Sequence, residues 1–437
     1  MRKDPIDRLL EPIGRFINNS TTGGIMLFLS AVVALVWANS PWKESYHHLW
    51  EHKFTIGYDD YFISNTLHHW INDGLMAIFF FVIGLELKRE VLAGELSKPK
   101  EALLPLMAGL GGMVAPALIY LAWNGNTGAS SGWGIPMATD IAFALGILYL
   151  LGDRVPTSLK IFLTALAIAD DLGAVLVIAI FYTSEFSALS LGIGAAFMMV
   201  LIAANLLGVR NTVFYGIVGI GGLWLAFLLS GIHATVAGVL AALTIPANVK
   251  IEDRKFVQKI NLLAKAFEDA ETNNVSLVTQ EQLHVLDKIR YYSLAALTPL
   301  QRLEHGMHPL VSFVVMPIFA LANAGITFSG DFFSNIGSNV TLGVMVGLLV
   351  GKFVGIVAMT KLMVLLKWAG LPTGVRWGHI YGASLLAAVG FTMSLFITEL
   401  AFKDPTYILQ AKFGILLASL IGGTAGYFLL SRLGKEE

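Results

Sequence analysis

Cysteine is absent from the 437 residues. That excludes disulfide staples, thiol catalysis and cysteine-ligated metal. Charge is scarce as well. Only 14% of residues are Asp, Glu, Lys or Arg, while 56% are hydrophobic; an ordinary soluble domain carries about 25% charged residues. The formal net charge of −1 offers nothing to a polyanion, so no nucleic-acid partner is expected. The short alternating segments of a β-barrel are lacking, and no apolar stretch with a small-residue cleavage site reads as a signal peptide. What is present is a series of apolar runs of 18 or more residues between Gly23 and Leu430. In hydrocarbon every backbone polar group must be paired within its own segment, so these runs read as membrane-crossing helices. The fold class is therefore an all-α polytopic membrane protein.

About twelve spans are expected, near 23–40, 66–87, 102–123, 132–151, 158–183, 187–208, 212–230, 233–246, 309–325, 340–365, 379–402 and 411–431. Five regions follow: an amphipathic cytoplasmic segment (1–22), spans 1–8 (23–246), a polar insertion (247–308), spans 9–12 (309–431) and a cytoplasmic tail (432–437). Basic residues mark alternate loops, among them Arg8, Arg15, Lys88, Arg89, Arg154, Arg210, Arg254 and Arg432. By the positive-inside rule both termini are cytoplasmic. The first external loop alternates aromatic and β-branched residues around a Gly-containing turn and reads as a β-hairpin over about 53–64. An isolated hairpin is marginal in water, which suggests pairing with a second copy, hence a homodimer. In the insertion, Phe256, Val257, Ile260, Leu263 and Phe267, then Leu283, Leu286, Ile289 and Tyr292, have helical spacing and predict two amphipathic surface helices, a linker or a regulatory cap.

Spans 3–5 and 10–12 enter the membrane from opposite sides, as inverted-topology repeats do. The middle span of each is interrupted: Gly134-Ile135-Pro136-Met137-Ala138-Thr139-Asp140 in span 4, and Ala387-Ala388-Val389-Gly390-Phe391-Thr392-Met393-Ser394 in span 11. Breaks at matching places in two halves point to a midplane binding site. Span 5 carries adjacent carboxylates, Asp170 and Asp171, in the middle of an apolar run. One carboxylate at the bilayer centre costs roughly 2.5–3.5 kcal/mol, and two neighbours resist joint ionisation. Such a pair suits a site that exchanges protons for a cation. Neighbouring helical residues point about 100° apart, so one aspartate can line a cation site while the other meets a partner. Lys352 in span 10 is the obvious partner, either neutralising Asp170 or carrying a proton. Gly347, Gly351 and Gly355 beside it let a neighbouring helix approach. Thr139 can offer a hydroxyl to a hard cation or bond its own backbone. Asp140 can ligate, or offset the positive ends of half-helices. A second set, Glu86, Arg89, Glu90, His233, Glu304, His305 and His308, is assigned to the cytoplasmic ends, as a solvated helix end or a pH-responsive cluster.

Several stretches carry a likeness. Trp70-Ile71-Asn72-Asp73-Gly74-Leu75-Met76-Ala77, Gly84-Leu85-Glu86-Leu87-Lys88-Arg89-Glu90, Ala138-Thr139-Asp140-Ile141-Ala142-Phe143-Ala144, Leu166-Ala167-Ile168-Ala169-Asp170-Asp171-Leu172-Gly173, Ser230-Gly231-Ile232-His233-Ala234-Thr235 and Ala322-Asn323-Ala324-Gly325 resemble the NhaA family of bacterial Na⁺/H⁺ antiporters. The likeness covers about 20–246 and 300–431 in collinear order. It implies crossed, interrupted helices in spans 4 and 11, Asp171 as the central Na⁺/Li⁺ and proton carboxylate, and Asp170 paired with Lys352 or sharing the ion. It further implies Thr139 and Asp140 at the crossing, pH-regulation roles for the second set of residues, and a homodimer joined partly through the hairpin. The 250–300 insertion departs from the shorter members.

The expectation is a transporter, not an enzyme, in the bacterial inner membrane, exchanging intracellular Na⁺ or Li⁺ for external H⁺. Exchange would be electrogenic, by alternating access, under cytoplasmic pH control and without a cofactor, in the service of sodium and pH homeostasis. Rival readings are an intramembrane aspartyl protease, which lacks its Gly-x-Gly-Asp context here; a retinal pump, which has seven spans; a cation channel; and a sodium-coupled symporter.

Overall fold

The computed structural model describes residues 20–59, 61–183, 187–231, 233–271, 277–328 and 336–434. The amphipathic segment over 1–19 and the end of the tail lie outside the described residues. Helix α1 (Ser20–Ala38) turns into α2 (Lys43–Glu51) at 113°. Strands β1 (Lys53–Tyr58) and β2 (Tyr61–Thr66) pair antiparallel, with Ile56 opposite Ile63. Long helices follow: α3 (Leu67–Ala93), α4 (Pro99–Asn124), and a span over Ser130–Leu150 that ends in α5 (Ile141–Leu150). Next come α6 (Thr157–Phe181), α7 (Ala188–Leu206), α8 (Thr212–Leu228) and α9 (Ala234–Thr244). The insertion holds α10 (Asp253–Asp269) and α11 (Gln280–Ala296). The chain closes with α12 (Pro299–Asn323), α13 (Asn339–Leu365), α14 (Trp377–Ala387), α15 (Phe391–Ala401) and α16 (Pro405–Leu433).

Among the described residues eight helices are long and apolar enough to cross a membrane; two bent pairs (α1–α2, α14–α15) and two shorter apolar helices (α8, α9) complete the set. Each of the twelve expected stretches contains helix among the described residues. Leu176, Ile180, Leu189 and Met199 are among many large apolar side chains left bare on the outside, as a lipid-facing surface requires. The chain is a multi-pass membrane protein.

Two triplets share one build: α4, broken span, α6; and α13, broken pair, α16. In the first, Pro136 lies in a 3₁₀ stretch (Ser130–Met137), and extended residues 138–140 separate it from α5. In the second, α14 and α15 meet at a 44° bend across residues 388–390. Close contact of the triplets depends on absent side chains. A Cβ added to Gly351 would lie 2.7 Å from Pro116 Cα, and one on Gly355 would lie 2.6 Å from the carbonyl carbon of Gly111. The α13 backbone thus touches α4 directly, as small residues allow. Just before Lys352, residues Gly347–Gly351 form a π-helical turn, a feature common where a helix serves a site.

In the insertion, α10 turns Phe256, Ile260, Leu263 and Phe267 partly inward, while α11 turns Gln282, Val285, Ile289 and Tyr292. Val257, Leu283 and Leu286 are 55%, 45% and 40% exposed, so Val257 falls outside the inward face of α10 and the first two inward positions of α11 lie one residue earlier than the spacing read in the sequence. Gln282 is held there because it closes the Thr279 capping box at the helix start.

Candidate ion-binding site

The two breaks satisfy one another. A helix start has unpaired N–H groups and a positive dipole end; a helix finish has unpaired carbonyls. Asp140 Oδ1 accepts from the Phe143 amide of α5 at 2.9 Å. Its Oδ2 accepts from the Thr392 amide of α15 at 3.1 Å and the Thr392 hydroxyl at 2.5 Å. One carboxylate therefore caps both short helices. In return the Asp140 amide donates to the Val389 carbonyl at 2.7 Å, the Thr139 hydroxyl donates to the Ala387 carbonyl at 2.9 Å, and Ser394 Oγ donates to the Ile135 carbonyl at 2.8 Å. Asp140→Ala is expected to lower stability by at least about 3 kcal/mol, since hydrogen bonds to a charged group are worth about 1.5–3 kcal/mol each; Asp140→Asn should lose less. Thermal unfolding in detergent measures it, and an unchanged melting temperature in Asp140→Ala would remove the capping role.

Beside the crossing, α6 delivers Asp170 and α13 delivers Lys352, both fully buried. Lys352 Nζ pairs with Asp170 Oδ2 and donates to Thr139 Oγ1 at 2.8 Å. The Thr139 hydroxyl has one hydrogen and two acceptors in reach, Ala387 O and, at 2.8 Å, Asp170 Oδ2. It thus joins the pair to the break. Asp170 Oδ1 has no hydrogen-bond partner among the described residues. It sits against Gly109 of α4, where an added Cβ would lie 3.2 Å away.

Asp171 is different. It is fully buried, and neither of its oxygens has a hydrogen-bond partner among the described residues. The charged groups acting on it are Asp170, Asp140, Lys352 and Glu86, three of them acidic. A buried polar group without a partner is rare and costly. Here the orphan is a carboxylate at the centre of a membrane bundle. A proton or a small hard cation with oxygen preference would relieve it.

The family model described as Na⁺/H⁺ antiporter 1 matches residues 14–430, nearly the whole chain. The chain belongs to that family. Relatives include the Na(+)/H(+) antiporter NhaA of Oleidesulfovibrio alaskensis, 52% identical over 435 residues that cover 99% of this chain and 96% of that protein. The Na(+)/H(+) antiporter NhaA of Acidithiobacillus ferrooxidans is 49% identical over 432 residues, 98% and 99% of the two chains. The NhaA 1 protein of Saccharophagus degradans is 47% identical over 434 residues, 99% and 93%. The antiporter family is one of transporters, not enzymes, and its ions are cargo rather than cofactors.

Within this antiporter fold the second set of titratable residues divides. At the insertion end of α3, Arg89 Nη1 pairs with Glu304 Oε1 at 2.6 Å and Nη2 with Glu90 Oε1 at 2.7 Å. Glu86 feels the charges of all three, and His308 feels Glu304, Arg89 and His305. Glu304 is buried, its Oε2 without a hydrogen-bond partner among the described residues, while His305 lies exposed and His308 partly exposed on the flank of α12. Among the described residues no three His, Asp or Glu side chains converge as a metal-ligand cluster, here or elsewhere. His233 is not in this cluster. It precedes α9, whose other end meets Lys88 of α3 through the Leu243 and Ile245 carbonyls. His233 therefore lies about 16 Å away, the length of α9, and its Nε2 is 2.8 Å from the Tyr182 carbonyl past the end of α6. Its assignment to the cytoplasmic ends is corrected accordingly: a residue that opens a span sits at the opposite end from the residues that follow it.

Thr392 is the site residue that sequence reading passed over, although it stands in the interrupted stretch of span 11. On the insertion side, a cleft of about 420 Å³ opens between the starts of α4 and α6, with Pro105 and Ala165 on its wall. Ala165 is five residues from Asp170, about 7.5 Å along the helix.

Proposed function

We propose that the chain exchanges intracellular Na⁺, or Li⁺, for external H⁺, with Asp171 as the carboxylate for which cation and proton compete. The observation that carries this is Asp171 itself: fully buried, both oxygens without a hydrogen-bond partner among the described residues, beside an aspartate paired with lysine. In this reading a deprotonated Asp171 and the free Oδ1 of Asp170 receive the cation. Thr139 and Lys352 hold Asp170 in place, and Asp140 holds the two half-helices together. The cleft between α4 and α6 supports entry from the insertion side, taken as the cytoplasm by the positive-inside rule. The broken helices then move against their surroundings to open the hairpin side, where external protons displace the cation. More than one proton per Na⁺ makes the cycle electrogenic, so that 100 mV contributes roughly 2.3 kcal/mol per charge. Both termini face the cytoplasm, the membrane is the bacterial inner membrane, and the role is sodium and pH homeostasis.

The Arg89–Glu90–Glu304 network with Glu86, His305 and His308 is read as the cytoplasmic pH control; it ties α3 to α12 through ion pairs that titration would loosen. An Na⁺ pulse to acid-loaded proteoliposomes is expected to alkalinise the lumen with no organic solute present, and Glu304→Gln to displace the pH profile without abolishing exchange. A requirement for an organic solute would favour a symporter instead. His233, near the hairpin side, is left out of the cytoplasmic control and read as a tie between α9 and α6.

The hairpin is read as the dimer contact. Its strands leave Phe54, Ile56 and Phe62 more than half exposed, and a two-stranded ribbon with open edges pairs readily. Deleting residues 53–64 is expected to convert a dimer to a monomer in light scattering, with exchange retained; a deletion variant that stays dimeric would remove this contact from the account.

A further inference from the structure

On the hairpin side, remote from the aspartates, three polar side chains close a ring. His68 Nε2 lies 3.0 Å from Asn323 Oδ1. Asn323 Nδ2 donates to Asn72 Oδ1 at 2.9 Å and to the Phe319 carbonyl at 3.0 Å. Asn72 Nδ2 lies 3.5 Å from His68 Nδ1. Counting hydrogens assigns every atom. The Asn323 amide nitrogen donates twice, so its Oδ1 accepts, and His68 Nε2 must carry a hydrogen. Asn72 Oδ1 accepts, so its Nδ2 donates, and His68 Nδ1 must be bare. The ring closes only around a neutral, Nε2-protonated imidazole. A proton added at Nδ1 sets two donors face to face and opens the Asn72 link. Asn323 and Asn72 are buried, while His68 is partly exposed and so within reach of solvent protons.

One carboxylate lies within electrostatic range of the imidazole. The charged groups acting on His68 are Glu399, Lys412 and His69. Glu399 on α15 pairs with Lys412 on α16 at 2.9 Å, and His69 pairs with Asp73 at 2.9 Å. Glu399 belongs to the half-helix that Asp140 caps. The neutral ring ties α3 to the end of α12; a charged His68 draws α3 toward α15.

We propose that His68 is a positioning residue that senses protons on the hairpin side: neutral, it fastens α3 to Asn323; protonated, it leaves the ring for Glu399 and holds α15 against α3. This rests on the exchange reading, in which α15 must part from its surroundings to open that side. Acid on the hairpin side therefore slows exchange by favouring the closed arrangement, beyond any effect on the driving gradient.

His68→Gln is the discriminating variant, because a glutamine amide can donate to Asn323 and accept from Asn72 yet cannot titrate between about pH 5 and 8. Exchange is measured in proteoliposomes at fixed internal pH and fixed Na⁺ gradient while the hairpin-side pH falls from about 8 to about 6. After scaling to the proton driving force, the native protein should slow by about three- to fivefold, the bias that one partly exposed ion pair exerts on a two-state equilibrium. His68→Gln should match native at pH 8 and lose the slowing, as should Glu399→Gln. Normal exchange in His68→Gln with the native acid slowing would overturn the proposal. A readout free of transport separates this from failure of the exchange reading: ¹⁵N-histidine spectra of the purified protein should show His68 as the Nε2–H tautomer at pH 8. An Nδ1–H tautomer would overturn the ring whatever the protein transports.

Discussion

Asparagine in place of Asp171 should abolish sodium-driven proton movement in proteoliposomes while the protein melts at the same temperature or higher. The two halves of this expectation come from one fact. Asp171 is fully buried and accepts no hydrogen bond from any described residue, so its carboxylate is held against the preference of a low-dielectric interior. Asparagine keeps the shape and removes the ionisable group. Stability should not fall, because no partner is lost; a residue that served packing or capping would behave in the opposite way. Transport should vanish, because neither proton nor cation has a carboxylate left to compete for. Asp140→Asn makes the natural contrast. That carboxylate accepts three hydrogen bonds, so its replacement should cost stability. Sodium-linked proton flux that persists in Asp171→Asn, measured with a lumenal pH dye, would shift the exchange site elsewhere.

The second large effect concerns Lys352. Replacing it by methionine strands Asp170, fully buried, with the Thr139 hydroxyl as its remaining side-chain hydrogen-bond donor among the described residues. Removing one member of a buried ion pair typically costs about 3–5 kcal/mol, most of it the penalty of an uncompensated charge. Lys352→Met should therefore lower the melting temperature sharply. The double variant Asp170→Asn, Lys352→Met should recover most of the loss, since replacing a whole buried pair by neutral groups is often close to neutral. A double-mutant cycle on thermal unfolding reads the coupling directly. Additive losses would mean that the Lys352–Asp170 contact is incidental to the fold.

What could be read from the sequence follows from where its signals are local. Asp170 and Asp171 announce themselves because charge in a long apolar run has a cost that calls for an explanation. Pro136 and the Gly390 region mark breaks because they disturb a helix in their own neighbourhood. The hairpin is a short-range pattern. By contrast, Asp140 capping Thr392, or Thr139 reaching Ala387, joins residues about 250 positions apart, and nothing in either stretch names the other. In the sequence, Asp140 stands open between offsetting half-helix ends and ligating an ion; its hydrogen bonds to both half-helices come from the crossing geometry. His233, by its place at the start of a span, belongs to the end of α9 opposite Lys88. The ring of His68, Asn72 and Asn323 joins the start of one expected span to the end of another, 251 to 255 residues away, and no local pattern links them.

The most direct test needs neither membrane nor gradient. Purified protein in weakly buffered detergent at alkaline pH, given a small addition of NaCl, should release protons, because sodium and proton cannot both occupy Asp171. KCl should release none, and Asp171→Asn should be silent with both salts. Native protein that binds sodium with measurable heat yet releases no proton, or Asp171→Asn that releases as many as native, would contradict competition at this carboxylate.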